Sequence, residues 1–240
     1  SSSISSPNLT INLSVPDSPL IQSVKQGAGD TANDFLTNVL NPTISGLLPN
    51  RKSGAGSLIL TLEPQNPSST ISQKLTFSYS WNSSGNQVSV TSGLSLSLLN
   101  AVSNTWTWTL QTPELAQGQW LVKASTSQGS APPAESQQLL FIDRTAPPLP
   151  SLIQLRTQSS TPMLTGTVTL ASDERLEVVV AGRTYSESDS PGFLTVNRNT
   201  NSWSLQLPNS FSGNQSLDRA ETSYSVQIRA LDSAGNSSTL

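Results

Sequence analysis

The chain has 240 residues, of which 34% are hydrophobic and only 11% charged, with a net charge of −3. It contains neither Cys nor His, which removes cysteine nucleophiles, Ser-His-Asp triads and thiolate- or imidazole-held zinc together. No basic stripe suits nucleic acid, and no apolar run is long enough for a membrane-spanning helix.

Residues 1–14 begin as a nearly pure Ser run and are expected to be a flexible tail or the end of a preceding repeat. Pro16-Asp17-Ser18-Pro19-Leu20 then reads as a short stiff entry into a first domain, 15–142. Within it, Ile44, Gly46 and Leu48 share one face of an extended segment, as do Leu58, Leu60 and Leu62. Leu75, Phe77, Tyr79 and Trp81 form the next such face, followed by the turn Ser83-Ser84-Gly85-Asn86 and by Val88 and Val90. Trp106, Trp108 and Leu110 come later, then Trp120, Val122 and Ala124. Period-two alternation with turn residues between short segments predicts half-buried strands of a sandwich.

Asp143 to Pro150 holds three prolines in its last four residues and reads as a stiff connector, 143–150. The second domain, 151–240, repeats the alternation at Leu164/Gly166/Val168/Leu170, Leu176/Val178/Val180, Trp203/Leu205/Leu207 and Tyr224/Val226/Ile228/Ala230. No stretch has helical periodicity. The fold class expected is all-β: two tandem immunoglobulin-like sandwiches, the first enlarged and divergent.

The halves also match each other. Asn41-Pro42-Thr43-Ile44-Ser45-Gly46 aligns with Thr161-Pro162-Met163-Leu164-Thr165-Gly166, and the Trp106–Leu110 segment aligns loosely with Trp203–Leu207. Together with Asp-Arg-Thr-Ala-Pro at 143–147, Asn-Ser-Trp-Ser-Leu at 201–205 and Ala-Leu-Asp-Ser-Ala-Gly-Asn-Ser at 230–237, these motifs resemble the bacterial immunoglobulin-like repeats of large surface adhesins, including those exported by type I secretion. The resemblance covers nearly all of 143–240. The first domain matches less well. It is longer, chiefly between Pro49 and Leu99, and its counterpart of the Asp-x-Ala-Gly-Asn loop, expected at 125–136, lacks both Asp and Asn.

The resemblance implies a non-enzymatic spacer in a secreted protein of the bacterial cell surface. That spacer would present an adhesive region in cell adhesion or biofilm growth, with neighbouring repeats of the same chain as its contacts. A monomer excised from a longer array is expected. In some relatives calcium stiffens the joints, and a sandwich places Asp143, Asp232 and Asn236 near one end, where a loop carrying Asp30 and Asp34 could approach. Such an oxygen-rich set suits Ca2+. Asp232 and Asn236 equally suit a turn around Gly235, because Asx side chains bond neighbouring backbone N–H groups.

Trp106 and Trp108 lie two apart on one strand, so they point the same way. Exposed, they would stack on a host or matrix glycan or another protein; buried, they are core. No Ser-x-x-Lys and no Gly-x-Ser-x-Gly occurs, and the acids Asp173, Glu174 and Glu177 around Arg175 read as a solvated strand edge. No enzyme is expected.

Overall fold

Successive side chains of a strand point to opposite faces, so apolar–polar alternation commits each segment to one wet and one dry side. The computed structural model describes residues 15–25, 35–51, 54–65, 73–153, 155–157, 159, 161–190, 192–208 and 224–240, and their regular elements are all strands. The chain divides into two compact units between Ile142 and Asp143.

The first unit contains β1 (Leu20–Lys25), β2 (Leu36–Thr37), β3 (Thr43–Leu48), β4 (Gly56–Pro64), β5 (Leu75–Trp81), β6 (Gln87–Val90), β7 (Leu94–Asn100), β8 (Thr105–Gln111), β9 (Gly118–Gln128) and β10 (Ala134–Ile142). One sheet has the order β1-β3-β8-β7 and the other β2-β10-β9-β4-β5-β6. All pairings are antiparallel except that of β2 with β10. In immunoglobulin lettering this is A-B-E-D against A′-G-F-C-C′-C″, the variable-type arrangement. The enlargement between Pro49 and Leu99 therefore has a structural identity: it holds the C″ strand, β6, beyond β5.

The second unit contains β11 (Met163–Thr167), β12 (Arg175–Val180), β13 (Arg183–Ser186), β14 (Leu194–Asn197), β15 (Ser202–Gln206), β16 (Val226–Leu231) and β17 (Ser237–Thr239). Its sheets are β11-β15-β14 and β13-β12-β16-β17, or B-E-D against C′-C-F-G. Ser151 and Ile153 donate their N–H groups to Thr167 and Thr165 at 2.8 and 2.9 Å, which supplies the A strand beside β11. The Pro-rich segment does not stand apart from this unit, as a plain connector would: Ser238 Oγ donates to the Pro148 carbonyl at 3.1 Å.

Each unit has its own core. Ile44, Leu58, Leu60, Leu62, Trp108, Leu110 and Val122 are buried in the first, and Leu176, Val178, Trp203, Leu205 and Ile228 in the second. These are the faces the alternation predicts. Several other segments differ from the sequence reading. Val88 and Val90 are exposed, because β6 is a short edge strand with no neighbour beyond it among the described residues. Residues 125–136 are not one loop: β9 runs to Gln128 and β10 starts at Ala134. Glu177 is not at a sheet edge. It lies on β12, between β13 and β16, and accepts a bond from Arg229 Nη2 at 2.7 Å.

Gly46 and Gly166 hold equivalent places. Each faces a tryptophan across the B–E pairing, Trp108 and Trp203 respectively. A Cβ on either glycine would lie 1.9 Å from an A-strand carbonyl oxygen, that of Leu20 or Ser151. Only a hydrogen on the α-carbon lets the first strand and the indole approach together.

Candidate functional site

The variable-type topology brings the B–C, C′–C″, D–E and F–G turns of the first unit to one end. The hydrogen bonds join them. Arg51 of the B–C turn donates its N–H to the Asn104 carbonyl of the D–E turn at 3.0 Å, and the Asn104 side-chain amide donates back to the Arg51 carbonyl. Gly129 of the F–G turn donates to the Ala55 carbonyl at 3.1 Å. Asn104 holds φ at 46°, a left-handed conformation that Asn tolerates better than most residues.

Arg51 is the centre of this end. Its guanidinium carbon lies 3.8 Å from the Trp106 ring centroid and 5.0 Å from that of Trp81. Burial lowers its pKa from the ordinary value, yet a guanidinium stays charged in any physiological range. Its Nη2 reaches the Gly85 carbonyl at 3.4 Å, while Nη1 is buried without a hydrogen-bond partner. The indole N–H groups are satisfied: Trp106 donates to Asn104 Oδ1 at 2.9 Å and Trp81 to the Gly54 carbonyl at 3.0 Å. Val102, at the tip of the D–E turn, is 99% exposed.

The two candidate ligand tryptophans therefore part company. Trp108 is fully buried and donates to the Leu47 carbonyl at 3.3 Å, so its indole has no face for a ligand and the expectation that it binds one is corrected. Trp106 is only half-buried at the wet end of the same row, but Arg51 covers a ring face that a sugar would need. The sequence reading missed Arg51. No local signal marks it: Arg51 is followed by Lys52, and no aromatic residue lies near it in sequence.

Of the candidate calcium residues, Asp30 and Asp34 lie outside the described residues. The other three are brought together in the second unit. Asn236 Nδ2 donates to the Asp143 carbonyl at 2.9 Å and to Asp232 Oδ2 at 2.8 Å, and the Asn236 backbone N–H donates to Asp232 Oδ1 at 2.8 Å. The Asp143 carboxylate accepts the Thr145 N–H at 2.9 Å. Each oxygen of the buried Asp232 thus receives an N–H donor from Asn236. Among the described residues no three His, Cys, Asp or Glu side chains gather. Asp143, Asp232 and Asn236 are thus held to one another and to their own turn by N–H···O bonds.

What they build is a turn. Gly235 takes φ of 90°, and Asp232 N–H closes on the Asn236 carbonyl at 3.1 Å. Asn82-Ser83-Ser84-Gly85-Asn86, in the first unit, builds the same device. Asn82 N–H donates to the Asn86 carbonyl at 2.9 Å, Asn86 N–H donates to Asn82 Oδ1 at 3.0 Å, and φ of Gly85 is 82°. A neutral amide serves at Asn82 where a carboxylate serves at Asp232, so the turn has no need of the charge.

No family model matches the chain, and no curated protein matches it. Among solved structures it is similar to the crystal structure of murine CEACAM1b, at 10% sequence identity and a TM-score of 0.36, over 81% of this chain and 88% of that one. So faint a likeness adds nothing to what the strand order itself establishes.

Proposed function

We propose that the chain is a non-enzymatic spacer segment of a secreted bacterial cell-surface adhesin, carrying an adhesive region away from the cell. The observation that supports this most is at the boundary of the two units. Strand β10 ends at Ile142, and the very next carbonyl, that of Asp143, is already bound by Asn236 of the second sandwich. Pro147, Pro148 and Pro150 fix φ in the residues that follow. Units that resist unfolding are what a stalk needs, and two cores of buried aliphatic and indole side chains supply that without disulfides. Contacts would be with neighbouring repeats of the same chain.

A spacer is judged by its length rather than by its residues. In bacteria displaying the parent protein, the 240-residue segment is replaced by two unrelated sandwiches of equal length, and separately deleted. The spacer reading expects adhesion to survive replacement and fall on deletion. Loss of adhesion on equal-length replacement would overturn it.

One observation favours a second reading, that the first unit binds a host or matrix glycan or protein. Val102, Trp106 and Arg51 meet at the end where variable-type sandwiches carry their variable loops. Glycan-array binding by the full chain that Trp106→Ala abolishes would select this reading; an empty array would dismiss its glycan form.

A further inference from the structure

Sheet edges are the places where a β protein can take on another strand, and most chains guard them with Pro, charge or brevity. Three edges here follow that rule. Strand β1 is preceded by Pro16 and Pro19 and ends on Lys25, β13 starts on Arg183, and β6 spans only Gln87–Val90. Strand β7 is different. It has seven residues, it lies at the end of its sheet, and its only strand neighbour among the described residues is β8. From Leu75 to Pro113 the sequence has no Asp, Glu, Lys or Arg, so nothing charged lies on β7 or next to it in β8.

The strand also reads the same in both directions: Leu94-Ser95-Leu96-Ser97-Leu98. Gln111 N–H donates to the Gly93 carbonyl at 2.8 Å. Antiparallel ladders alternate by two residues, so Ser95 and Ser97 direct their N–H and C=O groups toward β8, and Leu96 and Leu98 direct theirs outward. The Leu94 N–H is occupied by the Thr91 carbonyl at 3.2 Å, which leaves its C=O. On the outer face, Ser95 pairs with Thr109 and Ser97 with Thr107 by their hydroxyls. Leu98 is 49% exposed.

We propose that β7 is a self-association edge, on which a second copy of this chain pairs antiparallel about a two-fold axis at Leu96. The palindrome is what selects a second copy over an unrelated strand. Turned about Leu96, Leu94 faces Leu98, Ser95 faces Ser97, and Leu96 faces itself. The two Leu96 residues exchange N–H···O=C bonds, and each Leu98 N–H meets the Leu94 carbonyl of the other copy. The Ser95 and Ser97 hydroxyls extend the rows that already run to Thr109 and Thr107. Because one edge serves both copies, the pairing closes at two and does not propagate. The proposal departs from the monomer expected from the sequence.

Sedimentation velocity on the full chain tests it. The wild type shifts from monomer to dimer as concentration rises, and Leu98→Lys, which places a charge on the edge, loses the dimer while keeping its thermal midpoint. Register is tested by oxidation, since the chain has no native Cys. Leu96→Cys forms a disulfide-linked dimer, because Cα atoms of such a pair lie about 5.5 Å apart, within disulfide reach. Leu98→Cys does not, since its own symmetry mate is far along the strand. A wild type that stays monomeric at every concentration overturns the proposal. So does a dimer that survives Leu98→Lys, or equal cross-linking by the two cysteine variants.

Discussion

Gly46 and Trp108 stand opposite each other across β3 and β8, and a Cβ on Gly46 would fall 2.3 Å from the indole Cζ2. The second unit repeats the relation with Gly166 and Trp203, where the indole Nε1 would be 2.6 Å away. In that unit the indole also donates to the A-strand carbonyl of Ser151 at 3.0 Å. Glycine, indole and first strand act as one closure of each sandwich.

Gly46→Ala is therefore expected to destabilise the first unit by about 3 kcal/mol, the upper end of ordinary overpacking, because backbone as well as side chain must move. Gly166→Ala should act in the same way on the second unit. Urea unfolding of the full chain should show one transition shifted by each variant. A shift of both transitions by either one would mean the cores are not independent.

The tryptophans should separate by position. Trp108→Ala opens a cavity in a closed core and should cost about 4 kcal/mol. Arg51→Ala should cost about 1 kcal/mol, the scale of a partly exposed cation–π contact. A double-mutant cycle of Arg51→Ala with Trp106→Phe should report a coupling of about 1 kcal/mol or less between guanidinium and indole. Chemical denaturation measures all of these, and zero coupling would show that the stacking is energetically idle.

The 232–236 turn should depend on the acceptor oxygens and not on a cation. Asp232→Ala leaves two N–H donors without partners near a buried site and should cost about 2 kcal/mol. Asp232→Asn keeps the acceptor that Asn82 provides in the other turn and should cost less than half as much. Differential scanning calorimetry with and without chelator should give the same midpoint for the wild type. A drop with chelator would restore the ion to this joint.

Glu63 gives the first unit a modest acid response. Hydrogen bonds from Lys74 at 2.7 Å and Lys123 at 3.1 Å hold its carboxyl below the ordinary value of 4.5. Since the folded pKa is the lower one, the contribution is complete above the unfolded value and is lost as pH falls through the folded value. The stability difference between wild type and Glu63→Gln should be largest near neutral pH and vanish in acid. It should also shrink with added salt, as an exposed pair must. A difference that grew in acid would contradict this arrangement.

The interior strands were legible because their two faces differ. Leu58, Leu60 and Leu62 are buried while Ile59 and Thr61 are not, and Trp203, Leu205 and Leu207 behave alike. Legibility failed where the inner face is itself polar. Thr126 and Gln128 are buried at the end of β9, Thr126 Oγ1 donating to the Ser57 carbonyl at 3.1 Å, so the strand looked like a loop. In β10, Ser136 and Gln138 interrupt the inner row before Leu140 and Ile142 restore it. Strand β2 has two residues, too few for any period, and depends on a parallel partner far along the chain. The turn at Gly235 could be read from five consecutive residues. Arg51 could not be placed over Trp106, because that contact exists only once the B–C and D–E turns have been folded to the same end.

The wet faces of the first sandwich are closed across strands by hydroxyl pairs: Ser57 with Ser127 at 2.9 Å, Ser80 with Ser89 at 2.7 Å, Ser97 with Thr107 at 2.8 Å. Alcohols have no proton to gain or lose in any natural water and no field for dissolved ions to weaken. A coat stitched from them keeps the same chemistry from dilute to briny surroundings, a property that a lysine-and-glutamate coat does not have.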